Sequence, residues 1–452
     1  MHFDSEWETD SEFGRTFYIE DDDGTVIKTF DDSPTLDQLR TVEQHTQTRI
    51  NLSNLGIPCV NCASEITGRF AADPRGNLLC WDCAVTADHG TEAGIRVNSD
   101  PSEATISQSS LYEKSLCDHV LNVATGCRHG CKFCYVPTSQ RYKSRSEILA
   151  DRVDVNEKQR EWGSYLMYRD DLPERLHDEI EASQHDNLNQ TERGHGVVML
   201  SSGTDPYQDR RAAQISRAAI DELTSHDIPV RVLSRSSIVA QDIDLFLEAG
   251  DLLKVGSSIP SFNREMVGVL EPGAPPPLTR WQTLDMLQLE GVSVFVSMSP
   301  TYPTLGEHGL HRLLTRFIAI QPDVVFHEPI NPRGKNFEMI VESLEDAGLP
   351  EEAAEFRRLE DTEEWVEYAL KHLNRVQQKA KELGAPPIHS WPDRELLRAT
   401  EGSLRDQLAA MRQSPSPESF DGNSSPEHSD AHSPLFDSYD EIKHLVNPGN
   451  IR

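Results

Sequence analysis

The chain has 452 residues, beyond the length at which a single hydrophobic core stops growing, so two or more units are expected. Its 75 acidic residues outnumber its 43 basic ones for a formal net charge of −32, and only 11 of the basic residues are lysine. Such a charge reads either as repulsion of nucleic acid at low salt or as adaptation to the solvent, and so says little about partners. The balance reads as halophilic-like solvent adaptation, in which carboxylates hold water and salt screens their repulsion.

The N-terminus, Met1-His2-Phe3-Asp4-Ser5-Glu6, lacks the basic and apolar regions of a signal peptide. No run approaches the roughly 18 apolar residues of a membrane span. All eight cysteines fall between Cys59 and Cys134, seven of them in close-spaced clusters, which in a reducing compartment point to metal and not to disulfides. A cytoplasmic protein with no membrane association is expected.

Residues 1–50 form an acidic region. It contains a hairpin pattern at 15–20 and 25–30 with Asp-Asp-Asp-Gly between the arms, then a short helix over about 35–48. Residues 51–90 carry Cys59-x2-Cys62, a 17-residue spacer and Cys80-x2-Cys83, the pattern of a structural zinc site. Arms at 69–71 and 77–79 flank the turn Asp73-Pro74-Arg75-Gly76. The four thiolates serve either as a staple for a domain with little core or as a ribbon that grips nucleic acid or protein. Residues 91–116, polar and rich in Ser, Asp and Glu, read as a linker.

From residue 117 short apolar runs alternate with helical periods. Strands are expected over 119–125, 164–168, 197–201, 230–234, 252–259, 292–298 and 324–327. Helices are expected over 172–182, 212–225, 241–249, 280–290 and 310–319. Such alternation predicts an α/β fold with parallel strands that close fully or partly into a (β/α) barrel spanning 117–347, with its chemistry at the C-terminal strand ends. Charged helices follow over 348–412. Residues 413–452 are expected to be a mostly disordered acidic tail, densest in Ser, Pro, Glu and Asp over 413–435.

The chemistry centres on Gly126-Cys127-Arg128-His129-Gly130-Cys131-Lys132-Phe133-Cys134-Tyr135. Three cysteines spaced C-x3-C-x2-C suit three irons of a [4Fe–4S] cube and leave the fourth iron open to a small molecule. Cys117 is the alternative fourth ligand, although it precedes the expected strand and falls near its opposite end. Strand, cysteine loop, aromatic residue and alternating β/α units together resemble the radical S-adenosylmethionine (SAM) superfamily over roughly 117–335. Ser201-Ser202-Gly203-Thr204-Asp205-Pro206-Tyr207-Gln208 resembles a segment of the spore photoproduct lyase-like branch. Val232-Leu233-Ser234-Arg235-Ser236, Gly256-Ser257-Ser258-Ile259, Leu270-Glu271-Pro272 with Arg280, and Pro300-Thr301-Tyr302-Pro303 extend that likeness in order. Arg235 stands where the branch usually carries lysine. No cysteine follows Cys134 to serve as the hydrogen-donating thiol of the photoproduct lyases, so that activity is not implied.

The resemblance implies that the open iron binds SAM. One-electron reduction then releases methionine and a 5′-deoxyadenosyl radical, which abstracts hydrogen from a substrate in the barrel. Ser202, Thr204 and Asp205 would hold the SAM amino group, and Arg235 and Ser257 its carboxylate or ribose. A cap on the next helix is the lesser reading of Asp205, while Glu271 with Arg280 reads as a structural ion pair as readily as a pair of substrate ligands. Glu328, Asn331 and Arg333 are pocket candidates at a strand end. A one-electron donor such as ferredoxin is implied, with a nucleic acid, a peptide or a metabolite as substrate. The competing reading is a non-catalytic iron–sulfur and zinc protein that binds nucleic acid or a protein partner.

Overall fold

The computed structural model describes the strands within residues 4–30 and 70–80, the pair 38–39, and residues 94–183, 188, 196–416, 432 and 434–451. Two compact units result, Met1–Thr91 and Glu92–Arg452.

In the first unit, β1 (Asp4–Asp10), β2 (Gly14–Glu20) and β3 (Val26–Phe30) form an antiparallel sheet, so the expected hairpin gains a third strand. β4 (Phe70–Ala72) pairs antiparallel with β5 (Leu78–Cys80), Phe70 opposite Cys80. This is the hairpin that the proline–glycine turn predicts. Cys59, Cys62 and Cys83, and all but two residues of the expected helix over 35–48, lie outside the described residues.

The second unit is an α/β fold. Its strands are β6 (Arg96–Ser99), β7 (Ile106–Gln108), β8 (His119–Leu121), β9 (Ala124–Gly126), β10 (Tyr165–Tyr168), β11 (Val198–Leu200), β12 (Val230–Leu233), β13 (Leu253–Ser258), β14 (Val294–Thr301), β15 (Val325–Pro329) and β16 (Ile388–Ser390). The main sheet runs β16-β15-β14-β13-β12-β11-β8-β7. All its pairings are parallel except the edge pair of β7 with β8. Sequential order with crossover helices is the arrangement of a partial barrel. Helix α1 (Arg210–Ser225) shows why the crossovers form. Asp209 caps its first turn by accepting from the Ala212 amide at 2.9 Å, and Ala212, Ile215, Ala219, Ile220 and Leu223 make one buried face.

Several expectations need correction. The run over 119–125 is two strands in different sheets, β8 in the barrel and β9 in a small sheet with β6 and β10. The chain bends at Asn122-Val123, where the buried Arg169 guanidinium donates to the Asn122 carbonyl at 2.9 Å and Ser201 Oγ accepts from the Val123 amide at 3.2 Å. Distant groups therefore satisfy the backbone that leaves the ladder. β10, expected in the parallel sheet, runs antiparallel to β9.

Residues 91–116 are not a bare linker, because β6, β7 and a 3-10 turn at Ser110–Lys114 lie there. β16 extends the barrel sheet past residue 347. Leu435, Phe436, Tyr439, Leu445 and Val446, expected in a disordered tail, pack on the same core as α2 (Thr362–Leu383).

The two edges of the sheet are joined by side chains. The Glu113 carbonyl accepts from Trp391 Nε1 at 3.1 Å, and its carboxylate pairs with Arg394 and with Arg412, the latter at 2.7 Å. Lys114 pairs with Glu328 at 2.6 Å, and Lys114 and Arg412 lie over the Trp391 ring at 4.1 and 3.5 Å. Below the strand ends, Arg231 sits over Phe295 and Phe326 at 4.7 and 5.0 Å and fills the barrel interior. Among the described residues no helix is long and apolar enough to cross a membrane.

His327 on β15 is buried between Ser390 Oγ (3.0 Å) and Thr301 Oγ1 (3.2 Å), with the His372 ring 5.5 Å away. Burial, then the Arg375 charge, pushes its pKa down to about 3. The folded state keeps this ring neutral while the unfolded chain protonates it near pH 6.5, so stability present above pH 6.5 is lost as pH falls toward 3. We expect roughly 2 kcal/mol to be lost through His327 by pH 5. Denaturant unfolding at pH 7.5 and pH 5 should show a shallower acid loss in His327→Gln than in the parent chain. Equal losses in the two proteins would contradict it.

Candidate functional site

A cavity of about 550 Å³ opens at the C-terminal ends of the barrel strands. Cys127, Cys131 and Cys134 line it together with Ser202, Thr204, Asp205 and Arg235. Glu328, Asn331 and Arg333 line it too, as do Lys114, Trp391, Arg394 and Arg412 from the two sheet edges. The structure therefore gathers most of the residues that the sequence singled out. Ser257, Glu271, Arg280 and Cys117 stand outside the cavity. Successive strand residues face opposite ways, and Ser258 reaches the cavity instead of Ser257.

The cysteine loop follows β9 and is held by backbone contacts from distant segments. The Lys132 amide donates to the Leu270 carbonyl at 2.9 Å, the Gly273 amide to the His129 carbonyl at 3.0 Å, and the Arg128 amide to Gln208 Oε1 at 2.7 Å. Close approach explains two glycines. A β-carbon on Gly126, at φ +94°, would meet the Tyr165 carbonyl oxygen at 2.1 Å, and one on Gly273 would meet the Arg128 carbonyl oxygen at 2.2 Å. The Tyr142 hydroxyl accepts from the Gly126 amide at 2.8 Å and donates to the Gly203 carbonyl at 3.0 Å, tying the cysteine loop to the loop after β11.

Asp205 is the centre of this lacing. Oδ1 accepts from the Tyr207 amide (2.9 Å) and the Ser234 hydroxyl (2.7 Å); Oδ2 accepts from the Arg235 amide (2.7 Å) and lies 3.0 Å from His129 Nε2. Burial works against its charge, yet the His129 ring, the Ser234 hydroxyl and the Arg235 amide hold the carboxyl below the usual carboxylate value. Its four protein partners are a different employment from the SAM amino group expected of it. Thr204 is similarly engaged, donating to the Gly126 carbonyl and accepting from Gln208 Nε2 at 3.0 Å. Ser202 lines the cavity with no such hydrogen bond among the described residues.

Behind the cavity wall, Glu271 accepts from Arg235 Nε (3.0 Å), Arg280 Nη1 (2.6 Å) and the Tyr302 hydroxyl (3.0 Å). Neither Glu271 nor Arg280 lines the cavity, so of the two open readings the structural ion pair is the one observed. It braces Arg235, whose guanidinium lies 5.7 Å above the Phe133 ring. Asn331 donates to Asp393 at 2.9 Å, and Arg333 pairs with Asp393 at 2.7 Å and Glu395 at 3.2 Å. Sequence reasoning missed Lys114, Trp391, Arg394 and Arg412, because they lie on segments read as linker or C-terminal region and reach the cavity only across the sheet edges.

The donor set suits a thiolate-bound metal group. Among the described residues no three donors gather closely enough for a single ion. The three thiols instead line one roomy cavity, which fits a larger, multi-iron group. Burial pushes Cys127 up to about 12 and Cys134 up to about 11, and pushes Cys131 well above the usual thiol value. Thiolates here require a bound cation. Cys117 does not line the cavity and packs with Val120, Val197 and Met199, so it is not placed as a fourth ligand.

The model of the radical SAM superfamily matches residues 121–317. An uncharacterized protein of Acidianus two-tailed virus is 30% identical over 251 residues, covering 54% of this chain and 77% of that protein. An uncharacterized protein of Methanocaldococcus jannaschii is 22% identical over 188 residues, covering 41% of this chain and 61% of that protein. Among solved structures, a mutant of spore photoproduct lyase is similar at a TM-score of 0.41 and 15% identity, covering 69% of this chain and 79% of that one.

A backbone amide donates to each oxygen of Asp205, that of Tyr207 to Oδ1 and that of Arg235 to Oδ2, so a carboxamide at this position must turn its NH2 against one of them. Asp205→Asn is expected to destabilise the metal-free protein by roughly 2–4 kcal/mol and to reduce iron retained after reconstitution. Denaturant unfolding of the metal-free variant reads the first effect and iron per chain the second. An unchanged unfolding midpoint would return Asp205 to a ligand-binding role.

Proposed function

Because the chain belongs to the radical SAM superfamily, we propose that it is an enzyme holding a [4Fe–4S] cluster on Cys127, Cys131 and Cys134 and cleaving SAM to abstract hydrogen from a substrate in the same cavity. The observation that carries this reading is the sharing of one cavity, at the C-terminal strand ends, by the three thiols and by Ser202, Arg235 and Ser258. The cluster and SAM supply the one-electron and hydrogen-abstracting chemistry when bound.

The chain's own residues bind, orient and shield. Arg235 contacts Glu271 through Nε, which leaves Nη1 and Nη2 as a fork of donors for a carboxylate such as that of SAM. Ser202 and Ser258 offer hydroxyls from the ends of β11 and β13, on either side of β12. Phe133 and Trp162 form apolar wall beside the thiols and limit water there. Glu328, Asn331 and Arg333, with Lys114 from the far sheet edge, are proposed to meet the substrate, whether nucleic acid, peptide or metabolite. A one-electron donor such as ferredoxin is the proposed reductant. Cys59, Cys62, Cys80 and Cys83 are proposed to hold a structural zinc in the N-terminal unit. The likeness to the spore photoproduct lyase-like branch supports the placing of Ser202 and Arg235 around SAM, without the lyase activity itself, and Ser258 joins them through its place in the cavity lining.

Anaerobic reconstitution should give a brown protein whose reduced-cluster electron paramagnetic resonance spectrum changes on adding SAM, with 5′-deoxyadenosine formed under dithionite. Alanine at Cys127, Cys131 or Cys134 should abolish both signals, while Cys117→Ala should keep its iron. No spectral change and no deoxyadenosine from the parent chain would sink the reading. Arg235→Lys, which replaces a planar fork by a single ammonium, should weaken SAM binding about tenfold in equilibrium titration, or about 1.4 kcal/mol. Full affinity in Arg235→Ala would remove Arg235 from the site.

A further inference from the structure

Charge is distributed unevenly along this acidic chain. Between residues 127 and 160, the stretch that carries the three cysteines, eight side chains are basic and four are acidic, against 43 and 75 in the whole. The local balance is thus inverted around the cysteine loop. Cys127, Tyr142, Leu149, Val153, Trp162 and Tyr165 pack as one small core with Cys134 against it, so this stretch packs beside two of the three thiols.

The basic residues of that stretch divide into two groups. Arg145 is committed to Asp100, Arg128 to Asp209, Arg152 to Asp151 and Arg160 to Glu338 and Glu342. Lys132, Arg141, Lys143 and Lys158 have no carboxylate partner among the described residues. Lys143 is exposed and the other three are half-buried, with Lys158 Nζ donating to Ser146 Oγ at 2.5 Å. Of the four carboxylates in the stretch, Asp151 faces Arg152, and Glu157 faces Arg160 and Lys335; Glu147 and Asp154 are exposed. Lys132 stands between Cys131 and Cys134, and Cys134 is the one thiol of the three that is not fully buried.

We propose that this basic stretch, which carries the cysteine loop, is the docking surface for an acidic one-electron carrier protein, which gives one electron to the cluster held by the three thiolates and is itself oxidised. The proposal rests on the radical SAM reading above. Charge complementarity and the continuity of the surface with the cluster ligands both favour this occupant. A body of net charge −32 repels an acidic carrier from most directions, so unpaired cations at one place steer the encounter there. Weak redox encounters need only a small interface, and steering raises their association rate more than their lifetime. A nucleic acid would also meet cations, but nothing in its recognition calls for them to flank the cluster ligands.

The test uses the full-length reconstituted protein, with plant-type [2Fe–2S] ferredoxin as the acidic carrier and a short DNA duplex as a competing polyanion. The parent chain is compared with Lys143→Glu/Lys158→Glu and with Lys132→Gln. Stopped-flow oxidation of reduced ferredoxin should slow about tenfold or more at low salt in the double variant, with a flattened salt dependence. Reduction of the same clusters by dithionite should be unchanged, and surface-plasmon binding of oxidised ferredoxin should fall in parallel. Unchanged ferredoxin kinetics and binding in both variants would overturn the proposal. Loss of duplex binding with ferredoxin binding intact would also overturn it, making the surface a phosphate-binding face. Should no cluster assemble in the parent chain, the enzymatic reading fails by itself, while binding of oxidised ferredoxin still reports on the surface.

Discussion

The Asp205 carboxylate is the interaction on which the site depends. It joins three pieces of chain that share no strand: the cysteine loop through His129, the loop after β11 through the Tyr207 amide, and the end of β12 through Ser234 and the Arg235 amide. Buried anions are costly unless fully paired, and this one is paired on both oxygens. The cost of burying it becomes a constraint on geometry. The mutual placement of the three segments that satisfies it is also the one in which the three thiols line the cavity.

A second buried anion works in the same way one step further out. Glu271 binds Arg235, Arg280 and Tyr302 behind the wall, so the guanidinium in the cavity is held from the rear at Nε. Burial opposes the charge of Glu271, but the two guanidiniums and the tyrosine hydroxyl keep its carboxyl below the usual value. The pair of carboxylates thus divides the labour. Asp205 fixes backbone and the cysteine loop, and Glu271 fixes a side chain meant for a ligand. Along the seam Glu113 plays a third such part, drawing Arg394 and Arg412 across a gap that backbone hydrogen bonds do not close.

This pattern explains what was legible in the sequence and what was not. The barrel strands from 197 to 329 were readable because each is a short apolar run buried on both faces, a local property that survives without context. The break at Asn122 was not, since what permits it is Arg169, 47 residues away, and a propensity scan sees only an unbroken apolar run. β6 and β7 are short, polar and peripheral, so the segment 91–116 carried linker composition while making one edge of the cavity. The cysteine triad could be found from spacing alone. The true partners of Asp205 could not, because the side chain that suits a ligand ammonium equally suits a cluster of protein donors. Ser257 and Ser258 differ by one position in a strand, and only the pleat decides which faces the cavity.

Net charge offers the sharpest separation between a global and a local property. Read over 452 residues, −32 is an average that says nothing of partners. Read over the cysteine stretch, the same sequence reverses sign, and there solvent adaptation explains nothing, because a salt-adapted surface has no reason to concentrate scarce lysines in one place. Three of the 11 lysines, Lys132, Lys143 and Lys158, fall within this stretch. Carboxylates elsewhere make that exception more effective, since repulsion from the body and attraction at the loop act together on any acidic visitor until salt screens both over about a nanometre. The acidity of the chain, uninformative as an average, therefore becomes part of the addressing proposed for its cysteine loop.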